Sequence, residues 1–342
     1  MKKIIKLVSI LTVLSIMLCA CSTAGNTTKN DPKATSSPEG KTETKSSAKK
    51  SDIIMGTAGT SGTYYIVGVA MGNTVSEKSD INNIVVQSSL GSMENINLTN
   101  LDQMQLGFSN ADGVYWAYNG SGSYTESGKQ DILGVMSLYM SAGQMVTKAN
   151  SGIKNYGDLK GKKVCLGPPS TTIIEMSKSI LKEYGIDPEK DITPYYLTFD
   201  EGVQKVVDGE LDATFYVAGL PTAAMMNAAS TTDMALVDAD PAILQKIAGE
   251  QPYYQPYTIP AGTYKGVDYE VNTLKIMTQI FTNSQTSEEA IYDFVKVALE
   301  NLDSYKGAHN VIAEITPESA AQMDIPLHPG AEKYYKEIGV LQ

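Results

Sequence analysis

Short apolar runs alternate with helix-patterned stretches from residue 51 to residue 342, and this alternation limits the fold more than any other feature of the chain. Strands are predicted at Ile53–Thr57, Ile84–Gln87, Gln105–Ser109, Ile132–Leu138, Lys163–Gly167, Tyr195–Thr198 and Asp212–Val217. Helical patterns fill most of the intervals. Such alternation is the signature of an α/β architecture with mostly parallel sheets. The length suits two lobes, each with its own core.

Two helix starts are marked by side-chain chemistry. Thr172-Ile173-Ile174-Glu175 and Thr286-Ser287-Glu288-Glu289 read as capping boxes, and Gly185 sits where a left-handed glycine ends the first of these helices. The second start leads into Ile291, Phe294, Val295, Ala298, Leu299 and Leu302, one apolar helical face.

One local design occurs twice. Residues 54–65 read as a strand, then a Gly/Ser/Thr loop containing Gly59, Thr60, Ser61, Gly62 and Thr63, then a helix starting near Tyr64. About a hundred residues later, Val164 to Ile173 repeat the arrangement with Ser170, Thr171 and Thr172 in the loop. Helix N-termini present free N–H groups and partial positive charge, so each such loop attracts anions. Either loop alone is ordinary turn chemistry; a facing pair is an anion site. The glycines at 56, 59 and 62 do not follow the dinucleotide pattern, and no phosphate-loop lysine follows them.

That pair matters because the chain contains no arginine: all 27 basic residues are lysine. The planar fork that usually grips a carboxylate is therefore absent. An anionic ligand must be held by lysine, hydroxyls or backbone N–H groups. The formal charge of -11 falls to -14 once Lys2, Lys3 and Lys6 leave with a signal segment. This acidity disfavours nucleic acid and anionic lipid as partners.

The N-terminus explains that signal. Met1-Lys2-Lys3-Ile4-Ile5-Lys6 precedes an apolar run from Leu7 to Leu18, which ends at Leu18-Cys19-Ala20-Cys21. A cationic start, a short apolar core and small residues at a cut site define a secretory signal. Leu-Cys-Ala-Cys resembles a lipobox, which makes residues 1–20 a lipoprotein signal peptide and Cys21 the lipidated residue, tied to the membrane by acyl chains. Residues 21–50 are polar and lack apolar periodicity, as in a flexible tether. The protein is expected to be extracytoplasmic and lipid-anchored. Cys165 is then the one remaining thiol, in a buried strand, and no intramolecular disulfide forms.

Catalysis finds little support. The two histidines, His309 and His328, lie far in sequence from the Ser/Thr loops, and no Gly-x-Ser-x-Gly elbow occurs. No cysteine- or histidine-rich metal spacing is present, and no cofactor is expected.

The loop Gly56-Thr57-Ala58-Gly59-Thr60-Ser61-Gly62-Thr63-Tyr64-Tyr65 resembles the opening motif of the TAXI receptors, the solute-binding subunits of one class of TRAP transporters. The resemblance continues in order through Gly91-Ser92-Met93-Glu94-Asn95, Leu106 to Asp112, Ser137-Leu138-Tyr139 and Asp158-Leu159-Lys160-Gly161-Lys162. It extends through Asp208 to Ala213, Phe215 to Pro221, Ile259 to Tyr264 and Ile325 to Ala331. Where the family carries a Gly-Ser-Gly-Thr-like second loop, this chain has Pro168-Pro169-Ser170-Thr171-Thr172.

The resemblance implies a two-lobed, type II-like periplasmic-binding-protein fold with its cleft between the lobes. In sequence terms lobe I is 51–138 plus 266–342, and lobe II is 139–265. It implies a small anionic or zwitterionic solute, such as glutamate, glutamine or a dicarboxylate, and a TRAP membrane permease as partner. Site positions that it carries over are Gly59 to Tyr64, Ser92, Asn95, Asn110, Asp112 and Tyr216. Asn110 and Asp112 would favour an amine or hydroxyl, and the two loops a carboxylate. A ligand-sensing lipoprotein of the same fold, without a transport role, is the alternative.

Overall fold

The computed structural model describes residues 50–169 and 171–342; the leader, Cys21, all of the tether except Lys50, and Ser170 lie outside the described residues. Ten strands and eleven α-helices are found among them. The described chain opens with β1 (Ser51–Gly56), α1 (Thr63–Lys78), β2 (Asn82–Gln87), α2 (Ser92–Asn100), β3 (Leu106–Asn110) and α3 (Ala111–Asn119). A long strand, β4 (Leu133–Lys148), leads into β5 (Lys163–Cys165), α4 (Ile173–Glu183), β6 (Thr193–Tyr195), α5 (Phe199–Asp208) and β7 (Ala213–Ala218). Next come α6 (Ala223–Thr231), β8 (Met234–Leu236), α7 (Pro241–Glu250), β9 (Tyr254–Ile259) and the return strand β10 (Val271–Thr282). The chain closes with α8 (Glu288–Glu300), the short α9 (Leu302–Tyr305) and α10 (Pro317–Ala320), and α11 (Pro329–Glu337).

The strands form one continuous path, β2-β1-β3-β10-β4-β7-β5-β6, with β8 on β4 and β9 on β10. Its two ends are parallel, β2-β1-β3 on one side and β7-β5-β6 on the other. Its centre is antiparallel, because β10 runs against β3, β4 and β9, and β4 against β7. The expectation of mostly parallel sheets therefore holds only for the flanks. In each flank the strand-loop-helix unit noted in the sequence occupies the same place, β1 to α1 and β5 to α4.

β4 is more than twice as long as the sequence suggests. Ser137, Ser141 and Gln144 interrupt its apolar run, which reads as a strand end. In the structure each finds a cross-strand or tertiary partner. Ser141 and Thr278 hydroxyls lie 2.8 Å apart, the Gln279 amide donates to Ser137 Oγ at 3.1 Å, and the Tyr264 hydroxyl donates to Gln144 Oε1 at 2.6 Å. Buried polar groups are tolerated when they are paired in this way.

Two sets of cores divide along this strand. The first includes Val67, Met71 and Val75 of α1, Phe294 and Val295 of α8, Tyr335 of α11, and β4 up to Tyr139. A smaller cluster with Ile96, Val114 and Trp116 lies under α2 and α3. The second set begins at Ala142. It includes Met176 and Ile180 of α4 with Leu244 and Ile247 of α7, and Phe199 and Val203 of α5 with Met225 of α6. The result is an α/β fold whose two sets of cores flank the β4-β10 ribbon.

Helix ends revise two details. Thr172 is not a side-chain cap: its backbone is already helical (φ -72°, ψ -15°), and its hydroxyl accepts from Asn110 Nδ2 at 3.4 Å instead. The cap of α8 is Ser287, which accepts from Ala290 N, while the Thr286 hydroxyl turns to Asn283 Oδ1 at 2.9 Å. Gly185 follows α4 in the left-handed conformation, φ +69°, as its sequence position requires.

Candidate functional site

Five helix N-termini point at one cavity in the cleft. Its walls include Gly62 and Thr63 at the start of α1, Gly91 and Ser92 at α2, and Asn110 at α3. Thr171 and Ile173 come from α4, and Thr198, Phe199 and Asp200 from α5. Four of these helices, α1 to α4, begin without any side-chain cap. Away from the cavity, α7, α8 and α11 are capped by Asp240, Ser287 and His328, whereas α6 starts after Thr222 without a side-chain cap. First-turn N–H groups have no partner within the helix and need one from elsewhere. At the cleft, four such ends converge with their partial positive charge, although the Gly113 N–H of α3 is taken by the Asp112 carboxyl, and Tyr65 N and Glu175 N bond Gly62 O and Thr172 O within their own turns.

The predicted residues divide by position. Gly59, Ser61, Gly62, Thr63, Tyr64, Ser92, Asn110, Thr171 and Tyr216 line the cavity. Thr60 does not; it is exposed on the loop. Ser170 lies outside the described residues. Asn95 is fully buried and braces the fold: its Nδ2 donates to Thr57 O and Phe108 O, both at 2.8 Å, fastening α2 to the ends of β1 and β3. Thr172 and Asp112 stand behind the lining. Asp112 accepts from Gly113 N at 2.7 Å and from the Tyr254 hydroxyl at 3.0 Å. Burial raises its carboxyl to about 6, well above the ordinary carboxylate range, with the Thr172 hydroxyl, Gly113 N–H and Tyr254 hydroxyl opposing the shift.

Several contacts close the cleft from one lobe to the other. The Ser61 hydroxyl donates to the Asp200 carboxylate. Thr63 donates to Gly219 O at 3.3 Å, and Asn110 donates to Thr172. Asn110 in turn accepts from the Tyr64 hydroxyl and, through its backbone N–H, donates to Ser92 Oγ at 3.1 Å. Burial pushes the phenols of Tyr64 and Tyr216 above their ordinary range, so both stay protonated as donors. Tyr216 stacks on Phe199 with ring centres 3.8 Å apart and 9° between planes. The enclosed space is small, about 70 Å³. Sites for drug-sized ligands run to several hundred Å³, so this one suits a metabolite of few heavy atoms.

The sequence reading missed Ser89, Leu90, Pro168, Thr198, Phe199 and Asp200 in the wall. A signal was available for three of them. Thr198 and Glu201 form a true capping box at α5, with Glu201 accepting from Thr198 N at 3.1 Å, which marks a helix start at Phe199 and Asp200.

Neither histidine reaches the cavity. His309 joins Pro221 O at 3.2 Å and accepts from Val311 N; His328 joins Thr286 O at 3.1 Å and accepts from Gly330 N. Both are helix caps. Among the described residues, no group of three or more His, Cys, Asp or Glu is placed to hold a metal ion, and no helix is long and apolar enough to cross a membrane.

Among solved structures, the chain is similar to the alkanesulfonate-binding protein SsuA from Xanthomonas axonopodis pv. citri, with 14% identity over 84% of this chain and 85% of that one, at a TM-score of 0.49. It is similar to the periplasmic aliphatic sulphonate-binding protein SsuA from Escherichia coli, with 14% identity, coverage of 83% and 78%, and a TM-score of 0.45. A binding-protein component of an ABC phosphonate transporter from Pseudomonas aeruginosa matches with 9% identity, coverage of 77% and 80%, and a TM-score of 0.48. In sequence, residues 55–339 match the NMT1-like family, a span that takes in both sets of cores and every described residue of the cavity wall. The chain belongs to the NMT1-like family.

Proposed function

We propose that this protein is an extracytoplasmic solute-binding lipoprotein, anchored through Cys21, that captures a small carboxylate-bearing solute and delivers it to a membrane transporter. The observation that carries this reading is the convergence of four uncapped helix N-termini on one cavity between two lobes. Such ends hold a carboxylate with N–H groups alone, which answers the absence of arginine. Lobe I, 51–138 plus 266–342, and lobe II, 139–265, close on the solute about the β4-β10 ribbon, and the closed form is what the transporter recognises. The ordered motifs from Gly56 to Ala331 favour a TRAP permease of the TAXI type as that partner. Glutamate, glutamine and small dicarboxylates are the candidate solutes.

The test is thermal unfolding in the presence of each candidate. A solute that binds only the folded protein adds about 2.7 kcal/mol at a hundred times its Kd, which is a readily measured rise in melting temperature. A flat response to every amino acid and carboxylate in the panel sinks the assignment.

A further inference from the structure

We infer that Tyr253 is a positioning residue for solute capture: a wedge outside the cavity that holds the cleft partly closed before any solute enters. This goes beyond the receptor reading and rests on its closing motion about the β4-β10 ribbon. Tyr253 is rooted in the second set of cores. It lies between the end of α7 and Tyr254, the first residue of β9. Gln251, two residues before it, donates to Ser179 Oγ on α4 at 3.2 Å, and Tyr254 is buried in the core of α4 and α7. The Tyr253 side chain reaches the other way, to α3. The Trp116 indole N–H donates to its hydroxyl at 3.1 Å, and the two rings meet edge to face, 5.8 Å apart at 86°. The ring of Tyr115 lies 6.1 Å away. Tyr253 thus packs against the core under α2 and α3 and against the core of α4 and α7 at once. None of these three aromatic residues stands in the cavity wall.

The sheet register places this contact at the pivot. On β10, Ile276 pairs with Tyr254, and Thr278 pairs with Asn110, the residue that leads into α3. The two segments that Tyr253 bridges therefore leave β10 two positions apart. A small rotation there is a wide opening at the mouth of the cleft. The bond from Trp116 does not survive lengthening by about 0.5 Å, and the edge-to-face pair is favoured only while the rings keep their approach. The wedge accordingly favours the closed angle by itself, and a solute acts on an equilibrium in which the closed form is already populated.

The experiment compares wild type, Tyr253→Ala and Tyr253→Phe by small-angle scattering of the solute-free chain and by the binding kinetics of L-glutamate as probe. Wild type should be the most compact. Tyr253→Ala should have a larger radius of gyration, still unfold cooperatively, and release L-glutamate about ten-fold faster with little change in association rate. Tyr253→Phe keeps the ring contacts and loses the bond from Trp116, so its radius and release rate should fall between the other two. It carries the test alone if the alanine variant does not fold. Two results overturn the inference and leave the receptor reading standing: equal solute-free radii in wild type and variants, or larger variants that release L-glutamate at the wild-type rate. If L-glutamate does not bind wild type, the scattering comparison alone decides the inference, and the thermal panel decides the receptor reading.

Discussion

The hydroxyl of Tyr254 on β9 donates to Oδ2 of Asp112 on α3 at 3.0 Å, tying the two elements together across 142 residues of sequence. The carboxyl is buried and lacks a cation among its hydrogen-bond partners, which is why it titrates near 6. A carboxyl whose folded value lies above its unfolded value binds protons more tightly in the folded protein. Its contribution to stability therefore increases as pH falls from about 7 to about 4, the opposite of an ion-paired aspartate. Asp112→Asn should raise stability at pH 7.5 and bring little change at pH 4.5. Chemical denaturation of both proteins across that range checks it; a difference independent of pH shows that the carboxyl does not titrate as described.

Gly62 ends the first loop with ordinary extended backbone, φ -80°, so alanine there meets no backbone strain. A Cβ would instead stand 2.8 Å from the Tyr216 hydroxyl, across the cleft. Gly62→Ala should weaken solute binding by about ten-fold or more through incomplete closure, with the melting temperature of the solute-free protein nearly unchanged. Small-angle scattering with and without solute gives an independent reading of closure. Unaltered affinity places the contact outside the closing motion.

Tyr139, on β4, is 1% exposed, and its hydroxyl has no hydrogen-bond partner among the described residues; the neighbouring Thr278 hydroxyl is engaged with Ser141. Removing one unpaired buried hydroxyl while keeping the ring costs nothing in packing. Tyr139→Phe should leave the melting temperature unchanged or raise it, by up to about 1–3 kcal/mol in stability terms. A clear fall shows that the hydroxyl has a partner in solution.

His328 caps α11 through Nδ1, which accepts from Gly330 N at 3.2 Å, while Nε2 faces Thr286 O. This arrangement needs the neutral ring, and burial holds its pKa below the usual value. Its contribution is complete above about pH 6.5 and declines as pH falls below that, because the unfolded chain then takes up the proton first. His328→Ala should cost about 0.5–2 kcal/mol at pH 8 through loss of the cap, and less at pH 5. Denaturant unfolding at the two pH values checks both the size and the direction.

The sequence was most readable where local chemistry decides the outcome. The loop from Gly59 to Tyr64 and the strand through Cys165 lie close to their expected places, because glycine spacing and apolar runs act over a few residues. The cleft wall was less legible. Asp200 and Phe199 reach it from a helix more than a hundred residues beyond Ser61, and only the tertiary fold brings them opposite it. Thr172 shows the converse: its capping signature is genuine in sequence, yet contact with Asn110 on the other lobe draws its hydroxyl away. The motif groups Asn95 with the solute ligands, whereas its two amide hydrogens are spent on Thr57 O, just past β1, and Phe108 O of β3.

The long strand β4 runs through the centre of the one continuous sheet, its first half beside one set of cores and its second half beside the other, with β10 returning beside it. Neither lobe is therefore a cuttable module. A fragment ending near Tyr139 would expose the edges of β3 and of a truncated β4, with the unpaired backbone groups that recruit other chains. Expressed separately, the halves should aggregate; supplied together, they should reassemble by exchanging strands. The same dependence acts during synthesis, because the first lobe's sheet lacks its central strand until β10 has emerged. The unfinished protein consequently has an open sheet edge until β10 arrives to cover it.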